Sequence, residues 1–209
     1  MIRILIADDH AVVCKGLKFI LEKSREMEIV ACCTNGIDAL NWLRKNDSDV
    51  ALIDIAMPDM NGIDLLKQLR KEKPKLPVLI LSAYPEDQYA VRLIKAGAAG
   101  YLNKECAPEE VVGAVRCVLG GKRHISTAVA EMLANELNIP DGKPPHEALS
   151  NREYQIFMLL ASAQTVAEIA GTLKLSTKTI STYRSRILEK MHLHNNAELM
   201  RYAVDKNLM

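Results

Sequence analysis

The chain has 209 residues, 49% of them hydrophobic and 4% aromatic, with a formal net charge of +1. That length holds one large domain or two ordinary ones, and the apolar fraction fills a packed core. Few aromatics argue against a stacking surface for single-stranded nucleic acid, and no apolar run approaches the length that spans a bilayer.

The charge is unevenly placed. Residues 148–209 carry eight Lys and Arg against five Asp and Glu, a net of +3; residues 1–147 carry nineteen against twenty-one, a net of −2. A basic tail on an acidic body has the sign expected of a nucleic-acid contact near the C-terminus. The cysteines at 14, 32, 33, 106 and 117 show neither a CxxC pair nor metal-ligand spacing. They read as small buried residues of a reducing compartment, with the neighbours Cys32 and Cys33 as an alternative redox pair. The apolar start, residues 2–7, is too short for a signal peptide and is cut off by Asp8-Asp9. The expected location is the cytoplasm.

Taken in order, residues 2–7, 29–33, 50–53, 78–81 and 99–102 are short runs rich in Ile, Val and Leu. Nearly continuous apolar character is how strands buried on both faces read. Amphipathic patterns lie between them, such as Val13, Leu17, Ile20 and Leu21, or Val111, Val112, Val115, Val118 and Leu119. Gly36, Gly62, Pro74, Pro77, Gly97 and Pro108 punctuate the series. Five strands alternating with five helices predict an α/β domain over residues 1–121, a doubly wound five-stranded parallel sheet. A linker is expected over 122–147, with a helix at about 126–138 using Val129, Met132, Leu133 and Leu137, then the Pro- and Gly-containing stretch 139–145. Residues 148–209 contain no strand pattern and predict a smaller all-α domain. Two of its helices open with capping boxes, Ser150 to Glu153 and Thr165 to Glu168.

Ligands of a doubly wound sheet gather at the carboxyl ends of its strands. There the sequence places Asp8-Asp9, Asp54 and Ser82, with Lys104 just after the fifth strand. Each alone reads as a turn or cap residue. Together they crowd carboxylates, and one pair at ~4 Å and an effective dielectric of ~20 costs about 4 kcal/mol. A proton, Lys104 or a divalent cation must relieve this. Oxygen-only ligands favour Mg²⁺. Such an ion would hold a phosphoryl group in line with Asp54, with Ser82 and Lys104 on its oxygens, giving an aspartyl phosphate.

These motifs, "ILIADDH", "LIDIAMPDMNG", "LILSA" and "GYLNK", resemble the receiver domain of two-component response regulators, a flavodoxin-like fold. The resemblance implies that Asp54 is the phosphate acceptor. It implies that Asp8, Asp9, Asp54 and the backbone carbonyl of Ala56 hold Mg²⁺. It makes Ser82 and Lys104 the phosphoryl contacts and Tyr101 the switch aromatic, turning inward as Ser82 moves. Ala56 and Tyr84 flank the acceptor, and slow self-dephosphorylation is expected. The family's usual proline after the lysine is replaced by Glu105, which leaves open whether the Lys104–Glu105 bond is cis.

Residues 165–191 read as helix, turn, helix, with Ser176 capping the second helix. Its inner stripe is Ile180, Ile187 and Met191; its outer face carries Lys178, Thr182, Ser185 and Glu189. Lys178, Arg184, Arg186 and Lys190 suit phosphate contacts, while Ser181, Thr182 and Ser185 suit base edges. Paired amphipathic helices also occur in proteins that never touch DNA. The segments "LSNREYQIFMLLA", "VAEIAGTLKLSTKTISTYRSRILEKM" and "NAELMRYAV" resemble the LuxR-type helix-turn-helix, and the whole chain resembles NarL/FixJ-type regulators. That resemblance adds Thr179 and Tyr183 to the DNA-facing set. The last helix, with Ala197, Leu199, Met200 and Ala203, either covers the small domain's core or also pairs with a twin.

The expected protein is therefore no dedicated enzyme. It is a phosphorylation-controlled transcription factor whose partners are a sensor histidine kinase, double-stranded promoter DNA, a second copy of itself and, among possible contacts, RNA polymerase. Three rivals remain: an aspartate-nucleophile phosphatase, a phosphate-independent DNA-binding protein, and a receiver acting on a protein. The phosphatases usually carry a second Asp two residues after the nucleophile, where this chain has Ala56.

Overall fold

The computed structural model describes residues 1–136, 144–206 and 208–209. The chain divides into two compact units, Met1–Glu136 and Leu137–Met209.

In the first unit the apolar runs become β1 (Ile2–Ala7), β2 (Met27–Cys33), β3 (Val50–Asp54), β4 (Val78–Ser82) and β5 (Gly100–Asn103). They form one parallel sheet in the order β2-β1-β3-β4-β5. The crossovers are α1 (Ala11–Glu22), α2 (Gly36–Lys45), α3 (Gly62–Glu72) and α4 (Glu86–Lys95), and α5 (Pro108–Leu119) follows β5. Alternation along each strand splits the core. Ile4, Ile6, Leu52, Leu79, Leu81 and Leu102 pack with Leu17 and Leu21 of α1 and Val111, Val115 and Val118 of α5. Leu5, Ile53 and Ile80, offset by one residue from these, are also fully buried. Burying such side chains contributes about 1.5–3 kcal/mol each, which explains why the strands carry so few polar residues before their last positions.

Those last positions differ from the expected strand ends. Asp54 and Ser82 lie inside β3 and β4, because Asp54 is still in register with Leu81 and Ser82 with Asn103. The strands continue one residue past their apolar runs, so both polar side chains stand on rigid backbone. The turn after β3 is equally fixed. Asn61 caps α3 by accepting from Asp64 N at 2.9 Å, and Gly62 N donates to Ile55 O at 3.1 Å. A Cβ on Gly62 would lie 2.0 Å from the Asp54 carbonyl oxygen, so only glycine lets the chain fold back so closely beneath Asp54.

Helix α6 (Thr127–Glu136) packs against α4, and Ser126 caps it by accepting from Val129 N. Val129 is buried, with Met132 and Leu133 half-buried. Leu137 and residues 139–143 of the expected linker lie outside the described residues.

The second unit contains a 3-10 turn (Pro145–Ala148) and α7 (Asn151–Ala161), α8 (Val166–Thr172), α9 (Thr177–Met191) and α10 (Asn196–Asp205). Both capping boxes form, and Ser176 accepts from Thr179 N at 3.1 Å. Phe157, Ile169, Ile180, Ile187, Leu199 and Ala203 make its fully buried centre.

Candidate functional site

The carboxyl end of the sheet brings Asp8, Asp9, Asp54, Ser82 and Lys104 to one rim. Asp8 and Ser82 are fully buried, and Asp54 is 2% exposed. Lys104 Nζ stands between two acids, 2.8 Å from Asp8 Oδ2 and 2.9 Å from Asp54 Oδ2. The loop carrying it is tied to the neighbouring strand, since Lys104 N donates to Ser82 O at 2.8 Å. The Lys104–Glu105 bond is trans.

Burial pushes the Asp54 carboxyl above the usual carboxylate range, and Asp8 adds to the push. Lys104 and the Ala56 amide, which donates to Asp54, pull the other way without cancelling it. For Lys104, burial works against the charge, but contact with Asp8 and Asp54 outweighs it and raises the pKa. The ammonium is therefore firmly charged, while ionised Asp54 is held at a cost.

Asp8, Asp9, His10 and Asp54 each offer one ligand atom, all within 4.8 Å of one another. His10 Nδ1 lies 2.8 Å from Asp9 Oδ1 and 3.1 Å from Asp8 Oδ1, and His10 N donates to Asp8 Oδ1 at 2.8 Å. Among the described residues, the ion-paired Oδ2 atoms of Asp8 and Asp54 have no hydrogen-bond partner beyond the Lys104 contact. Asp8 and Asp54 are buried, Asp9 is half-buried and His10 is exposed; the three carboxylates make an oxygen-rich set that fits a hard divalent cation.

Tyr101 is 5% exposed. Its hydroxyl donates to Tyr84 O at 2.8 Å, and Tyr84 N donates to Ser82 Oγ at 3.0 Å.

In the second unit, Lys178, Ser181, Thr182, Ser185, Arg186 and Lys190 are exposed along α9, with Thr179, Tyr183 and Arg184 half-buried. Several of their polar groups already have partners. Thr182 Oγ1 donates to Lys178 O and Ser185 Oγ to Ser181 O, which leaves those hydroxyls as acceptors. Arg184 Nε donates to Asn196 Oδ1 at 2.7 Å. Lys190 Nζ lies 2.7 Å from Glu153 Oε2.

Comparison with known proteins accords with both halves. Residues 4–116 match the response regulator receiver domain, and residues 147–203 match the bacterial regulatory proteins of the luxR family. The chain belongs to the two-component response regulators with a LuxR-type DNA-binding domain. It is 35% identical over 209 residues to the response regulator UvrY of Escherichia coli, covering 100% of this chain and 96% of that protein. It is 37% identical over 205 residues to the response regulator GacA of Pseudomonas aeruginosa, covering 98% and 96%. Among solved structures, it is similar to RcsB of Salmonella enterica serovar Typhimurium bound to a promoter with the phosphomimetic BeF3-. That match has a TM-score of 0.64 and 26% identity, and covers 96% of this chain and 97% of that one.

Within this response regulator, His10 is the pocket residue that the sequence reading passed over. Its signal was adjacency to Asp8-Asp9, but only the turn into α1 shows its ring meeting both carboxylates. Of the cysteines expected to be buried, Cys14 and Cys33 are, whereas Cys32 is exposed and Cys106 and Cys117 are half-buried. All five are free, and burial pushes the Cys33 thiol up to about 11 and Cys14 up to about 12.

Glu153 carries a pH dependence. Burial opposes its charge, but Lys190 and the Ser150 capping bonds hold its pKa below the usual range. A depressed carboxylate contributes stability above the unfolded pKa of about 4.3, lost as pH falls through the folded value. Glu153→Gln should destabilise the second unit by about 1–3 kcal/mol at pH 7. In urea unfolding, that deficit should shrink steadily once the pH drops below about 4.

Proposed function

We propose that this response regulator accepts a phosphoryl group on Asp54 from a sensor histidine kinase, or from a small acyl phosphate, and then binds promoter DNA as a dimer through α9 in the cytoplasm. The observation that carries this reading is Lys104 between Asp8 and Asp54 on a buried rim. An Asp54 oxygen attacks phosphorus, the donor's bond to phosphorus breaks, and an aspartyl phosphate forms. Lys104 then moves its ammonium from the carboxylates to the phosphoryl oxygens, and the Ser82 hydroxyl donates to another. Mg²⁺ held by Asp8, Asp9, Asp54 and the Ala56 carbonyl would supply the remaining charge neutralisation.

We assign residues 1–121 to phosphoryl acceptance, 122–147 to connection and 148–209 to DNA. Lys178 and Arg186 on α9 are free to reach phosphates, with Ser181, Thr182 and Ser185 facing base edges. Arg184 and Lys190 must give up Asn196 and Glu153 to join them. Dimer formation is supported by α10, where Met200 and Val204 remain 36% and 61% exposed beside exposed Ala197. These residues are spaced to form one apolar stripe. Pairing through that stripe would suit a two-fold symmetric site.

Labelling with radioactive acetyl phosphate tests the acceptor. The wild-type protein should take up label only with Mg²⁺, on a bond that hydroxylamine cleaves. Asp54→Asn should fold and remain unlabelled; a labelled variant would remove Asp54 from the role. Duplex binding tests the other half. Affinity should fall steeply with salt, and Arg186→Ala should reduce the log–log slope by about 1. An unchanged slope would place Arg186 away from the phosphates.

A further inference from the structure

A register shift in β2 decides where its last residues point. Ile4 pairs with Ile29 but Leu5 pairs with Ala31, so β2 carries one extra residue, Val30, against β1. Side chains alternate between the faces of a sheet, and one extra residue turns all that follow to the opposite face. Cys32 is thereby paired with Ile6, and Cys33 with Ala7. Ile6 belongs to the core layer that also holds Cys14, Leu17 and Leu21 of α1. Helix α1 packs on β2, and the Cys14 and Cys32 side chains are hydrogen-bonding neighbours. Cys33, on the other face, feels the charge of Asp38 in the first turn of α2. The bulge thus makes a pair of Cys14 and Cys32, while the sequence neighbours Cys32 and Cys33 point apart.

The pair sits against the acid turn. Cys32 is exposed and Cys14 is buried. The Cys14 thiol donates to Asp8 O at 3.8 Å, and Asp8 N donates to Cys33 O at 2.9 Å. Both backbone groups of Asp8 are held by the two elements that carry the thiols. Asp8 and Asp9 gather with Asp54 of β3, whereas β2 lies on the opposite side of β1.

We propose that Cys14 and Cys32 form a reversible disulfide in the presence of a peroxide, and that this bond weakens the hold of Asp8 and Asp9 on a divalent cation. The second half rests on the metal reading given above; the first does not. The exposed Cys32 sulfur attacks hydrogen peroxide, the O–O bond breaks, and Cys32 becomes a sulfenic acid as one water leaves. The Cys14 sulfur then attacks the Cys32 sulfur and the S–O bond breaks. The departing hydroxyl takes the Cys14 proton and leaves as a second water. Two thiols have lost two electrons to one peroxide. Small thiols of a reducing compartment reverse the bond by exchange, which makes it a transient signal rather than a permanent crosslink. Once formed, it removes the thiol proton from Asp8 O and draws the first turn of α1 toward β2, away from Asp54. The acid turn leads directly into that helix, so its carboxylates move with it.

Peptide mass mapping of the full chain without reductant, after hydrogen peroxide and alkylation of the remaining thiols, tests the bond. The peptides carrying Cys14 and Cys32 should appear linked, and dithiothreitol should part them. Cys33→Ser should keep the link. Cys32→Ser should abolish it, and at an exposed position it should leave the fold intact. Calorimetric titration should give the oxidised wild type an Mg²⁺ affinity about tenfold below that of the reduced protein, the scale on which groups behind the ligands act. Cys32→Ser should show no such change on treatment with peroxide. The absence of a link, a link that survives Cys32→Ser, or one that joins two chains would overturn the pair. A Cys14–Cys32 bond with undiminished Mg²⁺ affinity would overturn its effect on the pocket. Reduced protein that does not bind Mg²⁺ would sink the metal reading, and the mapping alone would then decide the thiol pair.

Discussion

One ammonium group holds the receiver's rim together. Lys104 Nζ sits within 3 Å of a carboxylate oxygen on each of Asp8 and Asp54, which otherwise would be like charges crowded into a buried edge. Folding forces this arrangement, because β1 and β3 are neighbours in the sheet and both end in acid at the same level. The hydrophobic effect drives the strands inward, and their last residues follow. What results is a site whose Asp54 carboxylate is ionised at a cost and whose counter-charge sits on an unbranched four-carbon stem. Both properties suit a group that is to be charged further and whose partner must then move. A buried pair of this sort is weak evidence for stability and better evidence for function.

Much of this was legible in the sequence. Each strand announced itself as an apolar run, and Asp8, Asp54 and Ser82 were visible as the polar residues that stop those runs. A parallel sheet with a polar rim followed from alternation of strands and helices, but the order β2-β1-β3-β4-β5 came only with the structure. The capping boxes at Ser150 and Thr165 were equally plain, since their partners lie three residues away. Local signals of this kind survive in one dimension.

The remainder depended on tertiary partners. Nothing near Lys104 says that it bridges Asp8 as well as Asp54, or that His10 meets Asp9. Arg184 and Lys190 read as cations on an outer helix face, yet Asn196 of α10 and Glu153 of α7 engage them. Those partners are 12 and 37 residues away. Residues 122–126 looked like linker because the single backbone bridge from His124 to Gly100 leaves no periodicity. The close approach it makes is recorded only in Gly100, and one glycine in an apolar run has many readings.

The central claim is that folding gathers buried carboxylates into a site that is strained until a divalent cation enters it. Thermal unfolding of the first unit, in EDTA and in Mg²⁺ at about ten times its dissociation constant, tests this directly. Binding at that level contributes about 1.4 kcal/mol, so the wild-type transition should rise by about 3–6 °C. Asp54→Asn should melt at or above the wild type in EDTA and gain less than half as much from Mg²⁺. A variant that melts well below the wild type in EDTA, yet gains as much from Mg²⁺, would contradict the account.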